Sequence, residues 1–475
     1  MGQSSSLAEP ARPSRARWIF LLYAASLSLI LYLDRICIAR SAGDISRELD
    51  LDDVRRGWMF TAFTLGYLLF EVPSGAWGDR YGPKRVLCRI VICWSFFTVL
   101  TGCVWGFTLH LGAAVLDGFF LLFLVRFLFG AAEAGAYPNL AKCSGRWFPL
   151  RERGLAQGVV VTAGRIGGGL APAATIAVTA LVNDYLWPGM GWRVSFWLFG
   201  SLGVIWVLLF ARWFRNSPAD HPSVNAAELA LIHADEVAGQ ESQAHGPRPV
   251  GLRPPWRVLL LSRNLWAFSA MAFCSTFVAY LYFTRFPEYL EDRHHVPERE
   301  WGWVAGLPLT CGALGCVLGG LLTDYLVRRT GSRRWGRRTM GLIGKGGGAV
   351  LLLAGASVEQ PALAVALISL SAFTSDLSLA SHWAVCTDAG GRFVATVFGV
   401  MNTVAAVGAA LSPVLAGYIL QTLAPRDEAT RTFDPVARAW AWDVVLYLSA
   451  ATLAVGALCW LRIDADESMV SERTV

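Results

Sequence analysis

Charge is scarce in this chain. Asp, Glu, Lys and Arg together make up 16% of its 475 residues, where soluble domains carry about a quarter. Polar linkers are nearly missing as well, because apolar runs recur from Trp18 almost to the C-terminus. These deficits exclude a conventional soluble protein, which at this length would divide into several domains with polar joints. The alternating faces of barrel strands are absent too. The runs match the roughly 20 residues that cross hydrocarbon as a helix, and a helix satisfies its own backbone in lipid. The ten cysteines show no CxxC or CxxH spacing, so neither a disulfide framework nor a zinc site is expected; small buried thiols account for them. No nucleotide loop, GxSxG, HExxH or pair of metal carboxylates is present. That argues against an enzyme, and no cofactor or metal is expected.

What is there reads as an all-α membrane protein of about 12 transmembrane helices. They are expected near 18–40, 57–78, 86–107, 113–138, 154–181, 192–213, 264–290, 302–327, 339–357, 360–386, 393–421 and 439–461. The long polar break divides them into a six-helix bundle at 18–213, a cytoplasmic linker at 214–263 and a second bundle at 264–462. Cytosolic tails at 1–17 and 463–475 complete the chain. Residues 226–241 of the linker have the composition of a short cytosolic helix. With both ends inside, 25 Lys and Arg fall on inner segments, 10 on outer ones and six within helices, the bias of the positive-inside rule. The net charge of +6 therefore reflects topology, and no nucleic-acid partner is expected. No cleavage-site pattern follows the first helix, so the N-terminus reads as a tail rather than a removed signal.

The halves echo each other. Gly75, Asp79 and the basic turn of Arg80, Gly82, Lys84 and Arg85 follow the second helix. Gly320, Asp324 and the basic turn of Arg328 and Arg329 follow the eighth. Two related halves with a solute site between them at the bilayer midplane form a transporter architecture.

The stretch from Gly75 to Arg85 resembles the loop signature of the major facilitator superfamily. The chain more specifically resembles its anion:cation symporter family, which includes bacterial galactonate, glucarate and hexuronate permeases and sialin-type carriers. The residues that carry this are Tyr32, Asp34 and Arg35 in the first helix, and Arg126, Gly130, Glu133, Gly135, Tyr137 and Pro138 in the fourth. Further matches are Arg146, Glu152 and Arg153 in the next loop, Gly191 to Arg193, Phe286 to Leu290, and Gly399 to Asn402. The resemblance implies alternating-access transport of a small organic anion, a sugar acid or related carboxylate, by proton symport. It implies an inner-membrane location with both termini cytoplasmic. It also makes Glu133 a proton-coupling residue partnered by Arg126, and Asp34 a second protonation site. The expected partners are the anion, protons and lipid, with the chain acting as a monomer. An exporter or exchanger of the same fold, or a transporter-like sensor, are the alternatives.

Ionisable groups within membrane helices are costly, about 2.5–3.5 kcal/mol on insertion scales, and so mark function. Arg126, Gly130, Glu133 and Tyr137 are spaced to share one helical face, and Arg126 and Tyr137 are expected among the substrate-binding residues. Arg126 and Glu133 lie roughly 10 Å apart along a straight helix, too far for contact unless both side chains stretch. Their alternative reading is a permanent pair that only fixes packing. Arg35 is the candidate anion-binding group, since its planar fork matches a carboxylate and stays charged; an Asp34–Arg35 pair at a helix end is the competing reading. Arg165, among glycines in the fifth helix, either adds a second positive charge for substrate or pairs with a carboxylate. Tyr67, Tyr280 and Asn402 are candidate partners for substrate hydroxyls, each equally readable as core. Gly75, Asp79, Arg80, Gly82, Lys84 and Asp324 are expected to gate, with Asp79 engaging a helix N-terminus across the seam. Asp376 and His382 rank lower, and Arg285 either lines an outer vestibule or snorkels.

Overall fold

The computed structural model describes residues 12–111, 114–232, 256–296, 301–379, 381, 382, 385, 394–426 and 432–464. In chain order the elements are α1 (Ala16–Leu49), α2 (Asp53–Tyr81), α3 (Pro83–Thr101), β1 (Thr108–Leu111), β2 (Ala114–Asp117), α4 (Gly118–Glu133), α5 (Ala136–Trp147), α6 (Leu150–Tyr185) and α7 (Gly191–Trp213). There follow α8 (Trp256–Leu261), α9 (Arg263–Thr284), α10 (Phe286–His294), α11 (Trp301–Thr330), α12 (Arg333–Ala356), α13 (Pro361–Leu377), α14 (Val394–Leu423) and α15 (Pro435–Trp460). Local chemistry sets the helix starts. Asp52, Asp117, Ser262, Ser332 and Asp434 each accept a hydrogen bond from a first-turn N–H. Pro83, Pro361 and Pro435 stand in first turns, where no N–H partner is needed.

Among the described residues, nine segments are long and apolar enough to cross a membrane, α4 and α5 counting as one. The more polar α2 and the shorter α3 and α13 complete twelve. The packing repeats by rank. In the first half α1 lies on α6, α2 on α4 and α3 on α7; in the second, α9 lies on α14, α11 on α13 and α12 on α15. Each half thus buries its apolar faces in the same order, and the fold is two six-helix bundles.

Several expected boundaries move. The first helix continues past residue 40 to Leu49, which puts Asp34 and Arg35 near its middle rather than at an end. The third ends at Thr101 instead of 107. The helix expected over 113–138 begins as β2, paired antiparallel with β1, and becomes helical only at Gly118. It then breaks after Glu133. Gly135 takes φ +86°, a conformation that costs glycine little, and Asn139 Nδ2 caps the Gly135 carbonyl at 2.8 Å. The helix expected over 264–290 breaks at Arg285, because Pro287 stands in the first turn of α10 and brings no N–H. The helix expected over 360–386 is described as α13 only to Leu377. Residues 226–232 of the linker are helical, and 233–241 lie outside the described residues. Glu228 in that segment is buried and accepts from the Ala16 and Arg17 backbone N–H groups at 3.2 Å, tying the linker to the start of α1.

The halves meet along α2 against α14 and α6 against α11. At the end of the molecule that carries the α1–α2 turn, a charge network closes the seam. Arg438 grips Asp53 with two bonds of 2.6 and 3.1 Å, and reaches Glu288 at 3.1 Å and Asp292 at 2.8 Å. Arg56 meets Glu288 at 2.5 Å. Arg285, fully buried, neither lines a vestibule nor snorkels. It donates to Glu288 and the Asp53 carbonyl, both at 2.8 Å, and to the Pro413 carbonyl at 3.0 Å. Three carboxylates thus meet three guanidiniums. Burial opposes ionisation of Glu288, but Arg285, Arg56 and Arg438 outweigh it and pull its carboxyl from the ordinary 4.5 down to about 2. A depressed carboxyl stabilises the folded state fully above its ordinary value and loses that contribution as pH falls towards the folded one. The Glu288 contribution is therefore fully present above about pH 4.5 and is lost as pH falls towards 2.

Arg438→Ala takes from buried Asp53 its two-bonded partner and from Asp292 its bonded guanidinium, and about 3–5 kcal/mol of unfolding free energy is expected to disappear. Arg426→Ala removes an exposed pair with Asp50 at 3.5 Å, for which less than about 1 kcal/mol is expected. Thermal unfolding of the two detergent-purified variants measures the contrast, and equal shifts would remove the network from its structural role.

Candidate functional site

At mid-helix in α1, Arg35 turns toward α4 and bonds the last residue of that helix, Glu133. Its Nε donates to Glu133 Oε1 at 3.1 Å, and its Nη2 bonds the same oxygen. The guanidinium lies among three rings, 5.1 Å from that of Tyr32, 4.8 Å from Phe63 and 5.3 Å from Tyr67. Tyr280 of α9 faces it from the other half. Arg35 keeps 18% of its side chain accessible while Glu133 keeps none, so the cation lines the seam and the carboxylate stands behind it. The second oxygen of Glu133 has no hydrogen-bond partner among the described residues.

Behind this pair lies a second one without bonds. Asp34 is fully buried and neither of its carboxylate oxygens has a partner among the described residues. It faces Glu133 and Arg126. Arg126 is 1% exposed, its Nε and Nη1 lack partners among the described residues, and its guanidinium stacks 4.4 Å from the Phe129 ring. The resemblance implied Arg126 as the partner of Glu133. Arg126 does face Glu133, but the two lie two turns apart on one helix, and the hydrogen bonds come from Arg35 on α1. The adjacent positions 34 and 35 diverge as helical neighbours must: one side chain is sealed in the bundle, the other meets the seam.

Tyr137 lies beyond the break at Gly135, on α5 rather than on the helix of Glu133. Its hydroxyl bonds Ser28 Oγ at 2.8 Å. Asn402 of α14 donates across the seam to Glu71 Oε2 at 2.8 Å, and Glu71 also faces Tyr67 and Arg35. Arg165 pairs with Asp376, joining α6 to α13 across the halves. Both keep about a fifth of their surface, 20% and 23%. His382 Nε2 sits 2.7 Å from Met401 Sδ, edge-on to Phe268. Of the expected gating residues, Gly82 takes φ +83° to turn from α2 into α3, and the Lys84 N–H donates to Asn216 Oδ1 at 3.0 Å within the first half. The backbones of Gly75, Asp79 and Arg80 lie in α2 and that of Asp324 in α11; their side chains lie outside the described residues.

Two charged groups escaped the sequence reading. Glu71 is the one acid in the apolar run from Leu65 to Val72. Lys345 sits midway along α12 among glycines, and its Nζ donates to Ser375 Oγ at 2.9 Å. The intramembrane-charge rule applied to Arg126 would have found both.

A model of the Major Facilitator Superfamily matches residues 24–413. The chain belongs to the major facilitator superfamily. It is 30% identical over 453 residues to the "Probable sulfoacetate transporter SauU" of Cupriavidus necator, covering 95% of this chain and 94% of that one. It is 29% identical to the "Probable galactarate/D-glucarate transporter GudP" of Bacillus subtilis, over 88% of each. Among solved structures it is similar to a bacterial homologue of the human lysosomal transporter Spinster, in an inward-facing, unoccupied conformation. That match has a TM-score of 0.74 and 20% identity, covering 94% of this chain and 97% of that one. These relatives match the sugar-acid permease resemblance, and this major facilitator protein is a multi-pass membrane transporter, not an enzyme.

The Arg165–Asp376 bridge depends on a close approach. A Cβ added to Gly312 of α11 would stand 2.6 Å from Asp376 Oδ2 and 3.3 Å from Arg165 Nη1, so the carboxylate would have to swing away. Gly312→Ala is expected to cost about 1–3 kcal/mol, and clearly less in an Asp376→Ala background. A double-mutant cycle on thermal midpoints reads the difference, and full additivity would place the strain elsewhere.

Proposed function

We propose that this transporter imports a small organic anion, a sugar acid or a related carboxylate or sulfonate, together with protons. The bond between Arg35 and Glu133 at the seam carries this reading. A guanidinium held by a neighbouring carboxylate is a poor anion receptor, because the carboxylate already fills its fork. Protonating Glu133 removes that competitor and leaves Arg35 a net positive charge facing the seam. A substrate carboxylate then takes the vacated position through charge-assisted hydrogen bonds. Anion and proton each favour the other's binding, and such coupling is reciprocal. Asp34, sealed beside Arg126 without hydrogen-bond partners among the described residues, is the second proton carrier. Its ionisation is linked to that of Glu133 through the shared guanidiniums.

Tyr67, Tyr280 and Asn402 supply hydroxyl and amide groups around Arg35, Tyr137 secures α5 against α1 through Ser28, and Arg165 bridges the halves. The residues of the α2–α3 turn and Asp324 form the gate on the other side of the bilayer. With both termini cytoplasmic in the inner membrane, the Asp53–Arg438 network lies on the outer face and closes it. Cargo bound at Arg35 would then be released inward, in a cycle carried by the monomer. The printed names of the relatives, sulfoacetate and galactarate/glucarate, support an anionic, oxygen-rich cargo.

In proteoliposomes, Glu133→Gln is expected to abolish accumulation of a labelled aldarate driven by an imposed pH gradient, while counterflow exchange continues. Accumulation at the wild-type level would take Glu133 out of the coupling step. Arg35→Ala is expected to weaken anion binding about 100-fold, measured by calorimetry on purified protein; unchanged affinity would move the anion site away from α1.

A further inference from the structure

We propose that Lys345 is a second anion-recognition group, beside the Arg165–Asp376 bridge, so that the preferred cargo is a dianion spanning from Arg35 to Lys345. This rests on the reading of the chain as an organic-anion transporter and narrows its substrate class.

Lysine is rare in this protein. Of 41 basic residues only Lys84, Lys142 and Lys345 are lysine. Lys84 opens α3 and Lys142 lies on α5; the third stands in the middle of a membrane helix. Lys345 is 4% exposed. Its ammonium has three donors, and among the described residues it makes one hydrogen bond, to the Ser375 hydroxyl at 2.9 Å, and no ion pair. The groups that face it are Asp376, Arg165, His382 and the Cys274 thiol. Asp376, the one acid among them, is already bonded to Arg165. Among the described residues, the cluster of Arg165, Asp376 and Lys345 therefore carries one uncompensated positive charge. Helix packing has no use for such a charge, since an apolar residue would fill the same space without desolvating an ammonium.

The position of this charge suits cargo. Arg35 lies on α1 in the first half and Lys345 on α12 in the second. Between them lie Tyr32, whose ring is 5.1 Å from the Arg35 guanidinium and which also faces Arg165, and then the Arg165–Asp376 bridge. The wall beside Lys345 continues through Ser371 and the Tyr282 hydroxyl, 3.5 Å apart. With Glu133 protonated, two positive charges lack an anion among the described residues, Arg35 at the seam and Lys345 behind the Arg165–Asp376 bridge in the second half. A monoanion compensates one of them, whereas a dianion compensates both and links the halves. Lysine is suited to the second position because it is a compact point charge that accepts a carboxylate or a sulfonate without a required fork geometry.

The test uses the full-length protein in detergent and a matched pair of ligands, a six-carbon aldarate (dianion) and the aldonate of the same stereochemistry (monoanion), titrated calorimetrically. Wild type is expected to prefer the aldarate. Lys345→Met is expected to reduce the aldarate-to-aldonate preference about tenfold. Lys345→Arg, which keeps the charge and reports on folding through its thermal midpoint, is expected to retain most of the preference. Equal weakening of both ligands in Lys345→Met, or an unchanged preference, overturns the assignment of Lys345 while leaving the anion-transport reading in place. A wild-type protein that binds neither ligand overturns both.

Discussion

The constraint that organises this protein is the price of charge in hydrocarbon. A guanidinium and a carboxylate, Arg35 and Glu133, are set into the middle of a helical bundle where each alone would be strongly unfavourable. Paired, they are tolerable. The pair spans α1 and α4, so its geometry depends on how those two helices lie relative to each other. It also faces α9 of the other half through Tyr280. In the proposed cycle, a rearrangement of the halves, a proton and a competing anion all act on this bond.

The surrounding architecture serves that placement. The break after Glu133 ends α4 at the carboxylate, so Glu133 sits at a helix terminus rather than along a continuous rod. Gly135 makes the break possible, and Asn139 satisfies the carbonyl that it frees. The extension of α1 to Leu49 lowers Arg35 from the membrane surface to the level of the seam. Similar electrostatics operates twice more between the halves. Arg165 with Asp376 bridges them at the interior, and the network of Asp53, Arg56, Arg285, Glu288, Asp292 and Arg438 closes one end. The interior bridge leaves about a fifth of its surface accessible, and the closing network buries most of its own.

Much of this was legible in the amino-acid order. Twelve apolar runs and the echo of Gly75–Asp79 in Gly320–Asp324 describe two halves without coordinates. The intramembrane charges Asp34, Arg35, Arg126, Glu133 and Arg165 announce themselves because nothing else in an apolar helix explains them. Partners were less legible. The resemblance implied Arg126 as the partner of Glu133, a spacing of seven on one helix argued against direct contact, and the bonding cation comes from α1. Arg285 read as a surface group because it stands near a helix end, yet packing of α2 and α14 against α9 and α10 buries it. Glu71 and Lys345 obey the same intramembrane rule as Arg126, but each lies in a run whose apolar or glycine-rich neighbours drew attention away from it.

Composition and periodicity alone settle that this chain spans a membrane many times as helices, since lipid offers unpaired backbone no other solution. They also settle which residues carry charge into it. Which of those charges meet is a property of the assembled bundle. Pairing across helices depends on crossing positions, on helix breaks such as that at Gly135, and on the close approaches allowed at Gly312, and these are fixed only when two six-helix halves pack against each other. One-dimensional order can place Arg35 and Glu133 in the bilayer; only packing brings a guanidinium on α1 to a carboxylate 98 residues away.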